Sequence, residues 1–149
     1  MTQSLTPTSG LWRQGCHLLP VRVHWENTDA GGIVYHAEYL KFAERARTEM
    51  LRLAGIHQGS MLAGEGVGFA VAKLSIDYKR PAKLDDALVV ETTLDAVGGA
   101  VLDLTQTIRR EGDPLAILKV RVACLSLKAG VPIRIPAIMR EKLVPGNGD

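Results

Sequence analysis

Residues 26–51 read ENTDAGGIVYHAEYLKFAERARTEML, a turn-forming entry with two adjacent glycines that runs into an uninterrupted helical pattern. Tyr39, Phe42, Ala43, Ala46, Met50, Leu53 and Ala54 recur at the spacing of one helix face, while Lys41, Glu44, Arg45, Arg47, Glu49 and Arg52 lie largely off that stripe. The pattern predicts one long amphipathic helix over residues 37–54. Gly55 follows it, a residue that takes the left-handed stop conformation without steric cost.

Outward from the helix the texture is that of strands. Before it, HLLPVRVHWE (17–26) alternates Leu19, Val21, Val23 and Trp25 at the period of a half-buried strand. After it, a glycine-punctuated connection, HQGSMLAGEGVG, leads to FAVAKLSIDYKRP, ALVVETTLDAV, AVLDLTQTIRR and LAILKVRVACLSL. These four strands are separated by PAKLDD, GG and EGDP. Connections so short favour antiparallel neighbours, because parallel pairing needs crossovers of about a dozen residues or more. The sheet must bury one face, and the long helix is the element available to cover it. The expected class is α+β, an antiparallel sheet wrapped around one long central helix. No internal repeat or low-complexity segment interrupts this plan.

The bulk properties fit one domain. A chain of 149 residues buries roughly 70% of its unfolded surface and needs no metal or disulfide staple. The polar ends suggest flexible tails at 1–15 and 144–149 around a domain at 16–143. Lys and Arg number 18 against 16 acids, which gives no electrostatic reason to expect nucleic acid or an anionic membrane as partner. Cys16 and Cys124 lack CxxC spacing and read as thiols of a reducing compartment. No apolar run approaches the roughly 18 residues of a membrane span, and no basic start precedes an apolar core at the amino terminus. The expected location is cytoplasmic, without membrane insertion.

Asp29 stands in the glycine-containing loop ahead of the helix. Taken alone, an Asp there is an N-cap or an Asx-turn residue, although it lies too far ahead of the helix to be the cap itself. The alternative is a catalytic base or nucleophile facing the helix's unpaired amides, a role open to an Asp ionised at its ordinary pKa of about 3.9. Gly31 and Gly32 allow a tight bend, and close approach of a ligand to the backbone. His24 and Glu26 share a strand face and, with Asp29 and His36, invite a metal reading. Their spacing is no standard zinc pattern, and exposed polar strand positions explain them more simply, so no metal site is assigned. Glu44 and Glu49 have helical partners at three or four residues, Arg47 or Thr48 and Arg45 or Arg52, and read as surface pairs.

The segment VRVHWENTDAGGIVYHAEYLKFAERARTEML closely resembles the opening of the Tol-Pal-associated acyl-CoA thioesterases, a branch of the 4-hydroxybenzoyl-CoA thioesterase family with the hotdog fold. IDYKRPAKLDD is similar to the family's Tyr, Pro-Ala, Asp segment, and VPIRIP to its closing Pro-Arg-Pro cluster, so the likeness runs from about Val21 to Pro136. The resemblance implies a hotdog homodimer assembling to a tetramer, acyl-CoA bound between subunits, no cofactor, and a link to the Tol-Pal envelope system. It implies Asp29 as the catalytic acid, the amide at His36 as the group polarising the thioester carbonyl, and a secondary role for the His36 side chain. Gly31, Gly32, Tyr35 and Arg134 are the residues expected at the substrate, with Tyr35 packed beneath the loop rather than catalytic. Lys79, Arg80, Arg109 and Arg110 are further candidates for a cationic rim that receives the CoA phosphates. The chain departs from the commonest family form at His24 and Asn27, where an aromatic residue and an Asp are usual. Two other readings stand beside hydrolysis: a non-catalytic acyl-CoA-binding or assembly protein on the same fold, and an acyl-thioester dehydratase, whose HFPxxP-type segment this chain lacks.

Overall fold

The helical stripe forms α1 (Glu38–Leu53), inside the span its periodicity predicts. Its apolar face is buried through Tyr39, Phe42, Ala43, Ala46 and Met50, and Gly55 beyond its end has φ +87°. The computed structural model describes residues 5–145. Along that span the strands are β1 (Leu11–Arg13), β2 (Cys16–Arg22), β3 (Val67–Tyr78), β4 (Ala87–Val97), β5 (Val101–Arg110), β6 (Asp113–Ser126) and β7 (Val131–Pro132). Two short helices, α2 (Gln58–Glu65) and α3 (Ala137–Lys142), complete the chain.

The strands form one antiparallel sheet in the order β1-β2-β4-β5-β6-β3, with β7 pairing β6. Helix α1 lies across β2, β4 and β5. Alternation sends Leu88, Val90, Thr92 and Leu94 of β4 and Leu102, Leu104, Gln106 and Ile108 of β5 inward, all buried. This is the sheet wrapped around a helix that the sequence predicts. Strand β3 is an edge, 12 residues long, with Val71 and Tyr78 exposed.

Three expectations change. Residues 11–13, in the stretch read as a flexible tail, pair with β2 through a two-residue turn in which Gln14 and Gly15 both have positive φ, the hairpin geometry that matches strand twist. Strand β2 ends at Arg22, and Trp25–Asn27 is a 3-10 turn, so His24 and Glu26 do not share a strand face. The connection HQGSMLAGEGVG contains α2, none of whose residues is buried. Its glycines, poor helix formers, mask it in the sequence. The predicted carboxyl-terminal tail falls mostly outside the described residues. Both cysteines are thiols, and burial pushes that of Cys124 up.

The amino-terminal strand is held by a buried histidine. His17 Nε2 lies 2.7 Å from the Ser9 carbonyl, which only accepts, so Nε2 carries the proton and Nδ1 is left buried without a partner among the described residues. Burial holds the His17 imidazole below its ordinary value, against the opposing pulls of the Ser9 carbonyl and the Glu49 carboxylate. The unfolded chain therefore binds a proton near pH 6.5 that the folded chain refuses. Stability is full above that pH and falls as the pH drops below it, until the folded-state pKa is reached. Urea titrations from pH 7.5 to 5 should record this loss, and His17→Gln should remove it. An unchanged slope in the variant would assign the loss to other groups.

Candidate active site

Residues 28–34 fold back on themselves. Thr28 bridges Val34, the Asp29 amide donates to the Ile33 carbonyl at 2.9 Å, and the Gly32 amide donates to the Asp29 carbonyl at 3.1 Å. Gly32 has φ +83°, a conformation its missing Cβ permits. Gly31 has a different reason for being glycine: a Cβ there would stand 3.2 Å from Asp29 Oδ1. Its close neighbour is the Asp29 carboxylate itself. Asp29 Oδ1 accepts from the Gly31 amide at 2.8 Å and more weakly from the Ile33 amide at 3.4 Å. The Asx-turn reading is thus realised, and it engages one carboxylate oxygen only. Oδ2 has no hydrogen-bond partner among the described residues.

The loop is fastened to the segment after β3. Ile33 bridges Lys83, the Val34 amide donates to the Ala82 carbonyl at 2.9 Å, and the Ala82 amide donates to the Tyr39 hydroxyl at 3.0 Å. Tyr78 donates its hydroxyl to the His36 carbonyl at 2.7 Å, and its ring meets that of Tyr39 edge-on at 5.4 Å. Asp86 secures the far end of this segment. Burial opposes its ionisation, but the Lys83 amide and the Arg110 guanidinium outweigh that and hold its carboxyl below the usual range.

Between loop and segment lies an open cleft of about 380 Å³, bordered by Asp29, His36, Tyr39, Tyr78, Lys79 and Arg80. Helix α1 opens onto it without a side-chain cap. The amides of His36 and Ala37 donate to no acceptor among the described residues, so two donors and the positive end of the helix dipole remain available to an anion or a polarised carbonyl.

Of the residues singled out in the sequence, Asp29, Gly31, Gly32 and His36 converge here. Tyr35 does not pack beneath the loop. Val34 takes the buried position, and Tyr35 turns outward, 47% exposed, with its ring 4.4 Å from that of His36. Arg134 lies beside Gly99 at the β4–β5 turn, in a groove with Ile135, Pro136 and Arg140. Within this chain the length of β4, about 35 Å at 3.3 Å per residue, separates that turn from the Asp29 end of the sheet. Arg110 is committed to Asp86 at 2.7 Å and Arg109 to Glu91 at 3.2 Å. Lys79 and Arg80 border the cleft with exposed, weakly held partners in Asp77 and Asp113. Glu49 pairs with Arg52 and also accepts from Ser9, whereas Glu44 lines a second pocket with Arg47, Thr48 and Phe69.

Two residues not assigned from the sequence organise the site. Tyr78 is one. Asn27 is the other: its Oδ1 accepts from the His24 amide at 2.8 Å, its Nδ2 donates to Glu38 Oε1 at 2.9 Å, and its carbonyl accepts from the Tyr35 amide at 2.9 Å. The Asn27 amide, followed by Lys41, holds the Glu38 carboxyl below its ordinary range. Asn27→Asp therefore sets two carboxylates at hydrogen-bonding distance and should cost about 1–3 kcal/mol at neutral pH. Adding Glu38→Gln restores a donor facing an acceptor and should recover most of that loss. Urea melts of the single and double variants at pH 7 check it, and an Asn27→Asp protein as stable as wild type would mean that the Asn27–Glu38 contact does not organise the helix entry.

A family model described as Thioesterase superfamily matches residues 31–117, more than half of the chain. The chain belongs to the thioesterase superfamily. Over 117 residues it is 47% identical to the acyl-CoA thioesterase YbgC of Haemophilus influenzae, covering 78% of this chain and 86% of that protein. It is 44% identical over 118 residues to the acyl-CoA thioester hydrolase YbgC of Escherichia coli O6:H1, covering 78% and 87%. The crystal structure of a probable thioesterase from Bartonella henselae superposes with a TM-score of 0.78 at 35% identity, covering 81% of this chain and 99% of the other. The antiparallel sheet around α1 is the hotdog fold of the thioesterase superfamily. No described helix is long and apolar enough to cross a membrane.

Proposed function

We propose that this protein hydrolyses an acyl-CoA thioester to a free acid and CoA, with Asp29 as nucleophile or general base. The observation that carries the reading is the pairing, in one cleft, of a carboxylate with a free oxygen and a helix start with two unpaired amides, in a chain 47% identical to a named acyl-CoA thioesterase. Thioester hydrolysis needs both. The carboxylate attacks the carbonyl carbon, or takes a proton from the water that attacks it, and the carbonyl oxygen becomes an oxyanion. Amides at His36 and Ala37 stabilise that charge best when their direction is set beforehand. Collapse of the tetrahedral intermediate expels the CoA thiolate. Lys79 and Arg80 at the cleft edge suit the phosphates of CoA. The His36 side chain, exposed beside Tyr35, takes the secondary role of holding or orienting the thioester.

The reading includes a homodimer assembling to a tetramer, supported by the long β3 edge with its exposed Val71 and Tyr78. In such an assembly Arg134 reaches substrate only if it meets another protomer's cleft. A cytoplasmic setting belongs to the same reading, supported by the two free cysteines, and a link to the Tol-Pal system rests on the likeness of the opening motif. The test is thiol release from short, long and aromatic acyl-CoAs. Rapid release from one class supports hydrolysis and names the substrate, while tight binding without release would leave the acyl-CoA-binding alternative.

A further inference from the structure

We infer that Tyr78 is a positioning residue: its hydroxyl fixes the peptide that follows His36 and so aims the amides that receive the thioester oxygen. The inference rests on the hydrolytic reading of the Asp29 cleft and extends it to a residue on the edge strand. Both peptide units flanking the His36 α-carbon are held by their carbonyls. That of Tyr35 accepts from the Glu38 amide at 2.9 Å, a contact any helix start supplies. That of His36 accepts from the Tyr78 hydroxyl at 2.7 Å, a contact only the tertiary fold supplies, across 42 residues of sequence. The described chain contains no cis peptide bond, so each N–H points opposite to its own carbonyl and fixing one fixes the other. Tyr78 thereby sets the direction of the Ala37 amide and, with the Tyr35 anchor, holds the backbone of His36. Neither amide has another acceptor among the described residues to hold it. A hydrogen bond received at the carbonyl also polarises the peptide and strengthens its N–H as a donor.

The phenol itself is well held. Its ring rests against the buried Tyr39 ring, and Tyr39 is tied through its own hydroxyl to the Ala82 amide. The Tyr78 hydroxyl is committed to that one carbonyl at 2.7 Å, and an oxyanion site gains from a peptide fixed beforehand.

Tyr78→Phe keeps the ring contact and removes only the hydroxyl. Losing an oxyanion donor outright costs about 100- to 1,000-fold in kcat, and losing only its alignment should cost roughly tenfold, with KM for the acyl-CoA unchanged within a factor of about two. The His36 carbonyl carbon and Ala37 amide resonances should shift, while those of the last turn of α1 stay in place. A variant at full kcat overturns the inference, as do unmoved resonances at His36 and Ala37. A raised KM at constant kcat also overturns it, by making the phenol a substrate contact. A wild type that releases thiol from no acyl-CoA rejects the hydrolytic reading and the positioning role with it, even where the resonances report the hydrogen bond intact; loss confined to the positioning role appears instead as an active wild type and an equally active variant.

Discussion

Asp29→Asn should release thiol from acyl-CoA at least roughly 100-fold more slowly than wild type, the scale expected for losing an essential base or nucleophile, and should fold as wild type does. The choice of substitution follows from the loop. Oδ1 accepts from the Gly31 and Ile33 amides at 2.8 and 3.4 Å, and the carbonyl oxygen of an asparagine accepts from both as well. The turn therefore survives, while the charge and the nucleophilic lone pairs of the free oxygen are lost. Asp29→Ala removes the turn's hydrogen bonds too, so its deficit mixes chemistry with a loosened loop. Comparing the two variants by thiol release and thermal melting separates these contributions. A folded Asn variant that keeps the full rate would leave the family and fold intact and remove Asp29 from the chemistry. A single turnover in ¹⁸O-labelled water tests for the covalent route: hydrolysis of an Asp29 acyl anhydride at the Asp29 carbonyl leaves label in that carboxylate and sends its unlabelled bridging oxygen out in the product acid, whereas general-base attack, like hydrolysis of the anhydride at its acyl carbonyl, puts the label in the product and leaves Asp29 unlabelled.

Helix α1 and the positions of Asp29, Gly31, Gly32 and His36 were legible because they depend on neighbours in sequence. A 3.6-residue period, a glycine stop and a loop that meets its own helix within eight residues leave few alternatives. Strand β1 was hidden because three residues carry no measurable period, and what orders them is Ser9, His17 and Trp12, contacts made across a hairpin. Helix α2 was hidden by Gly59 and Gly64, which read as loop formers in isolation. Tyr78 entered the sequence reading only as part of the strand FAVAKLSIDYKRP and the IDYKRPAKLDD segment, with no role of its own. Its bond to the His36 carbonyl depends on how β3 ends beside α1, a relation no local pattern encodes. Arg134 was placed at the substrate by a matching cluster in sequence, and the topology sets it at the opposite end of β4 from the same chain's Asp29, so its role turns on an assembly that no local pattern encodes. Asn27 read as a departure from the common form, and its function emerges only with Glu38 placed opposite it.

Gln106→Leu should be the most destabilising single change outside the apolar core, costing about 2–4 kcal/mol and lowering Tm by about 5–15 °C at fixed protein concentration. Gln106 sits on the inward face of β5, fully buried among Leu104, Ile108 and Val90. Its Nε2 donates to the Ala43 carbonyl at 2.9 Å and to the Thr92 hydroxyl at 3.0 Å, and its Oε1 accepts from Arg47 at 3.0 Å. One amide thus serves helix α1 twice and strand β4 once. Burial weakens the hold of the Arg47 guanidinium on its proton, with only the Glu44 charge opposing, and no carboxylate among the described residues forms an ion pair with it. Leucine fills nearly the same volume, so the loss reports the stranded guanidinium and hydroxyl rather than a cavity. Arg47→Met alone should cost less, because it leaves a neutral oxygen without its partner instead of a charge. The double variant Arg47→Met with Gln106→Leu removes both ends of the contact and should be more stable than Gln106→Leu by about 1–2 kcal/mol, since two matched apolar groups leave nothing unpaired between them. Strictly additive losses in this cycle would mean that Arg47 finds other partners when Gln106 is gone, and that the Arg47–Gln106 contact does not couple the helix to the sheet.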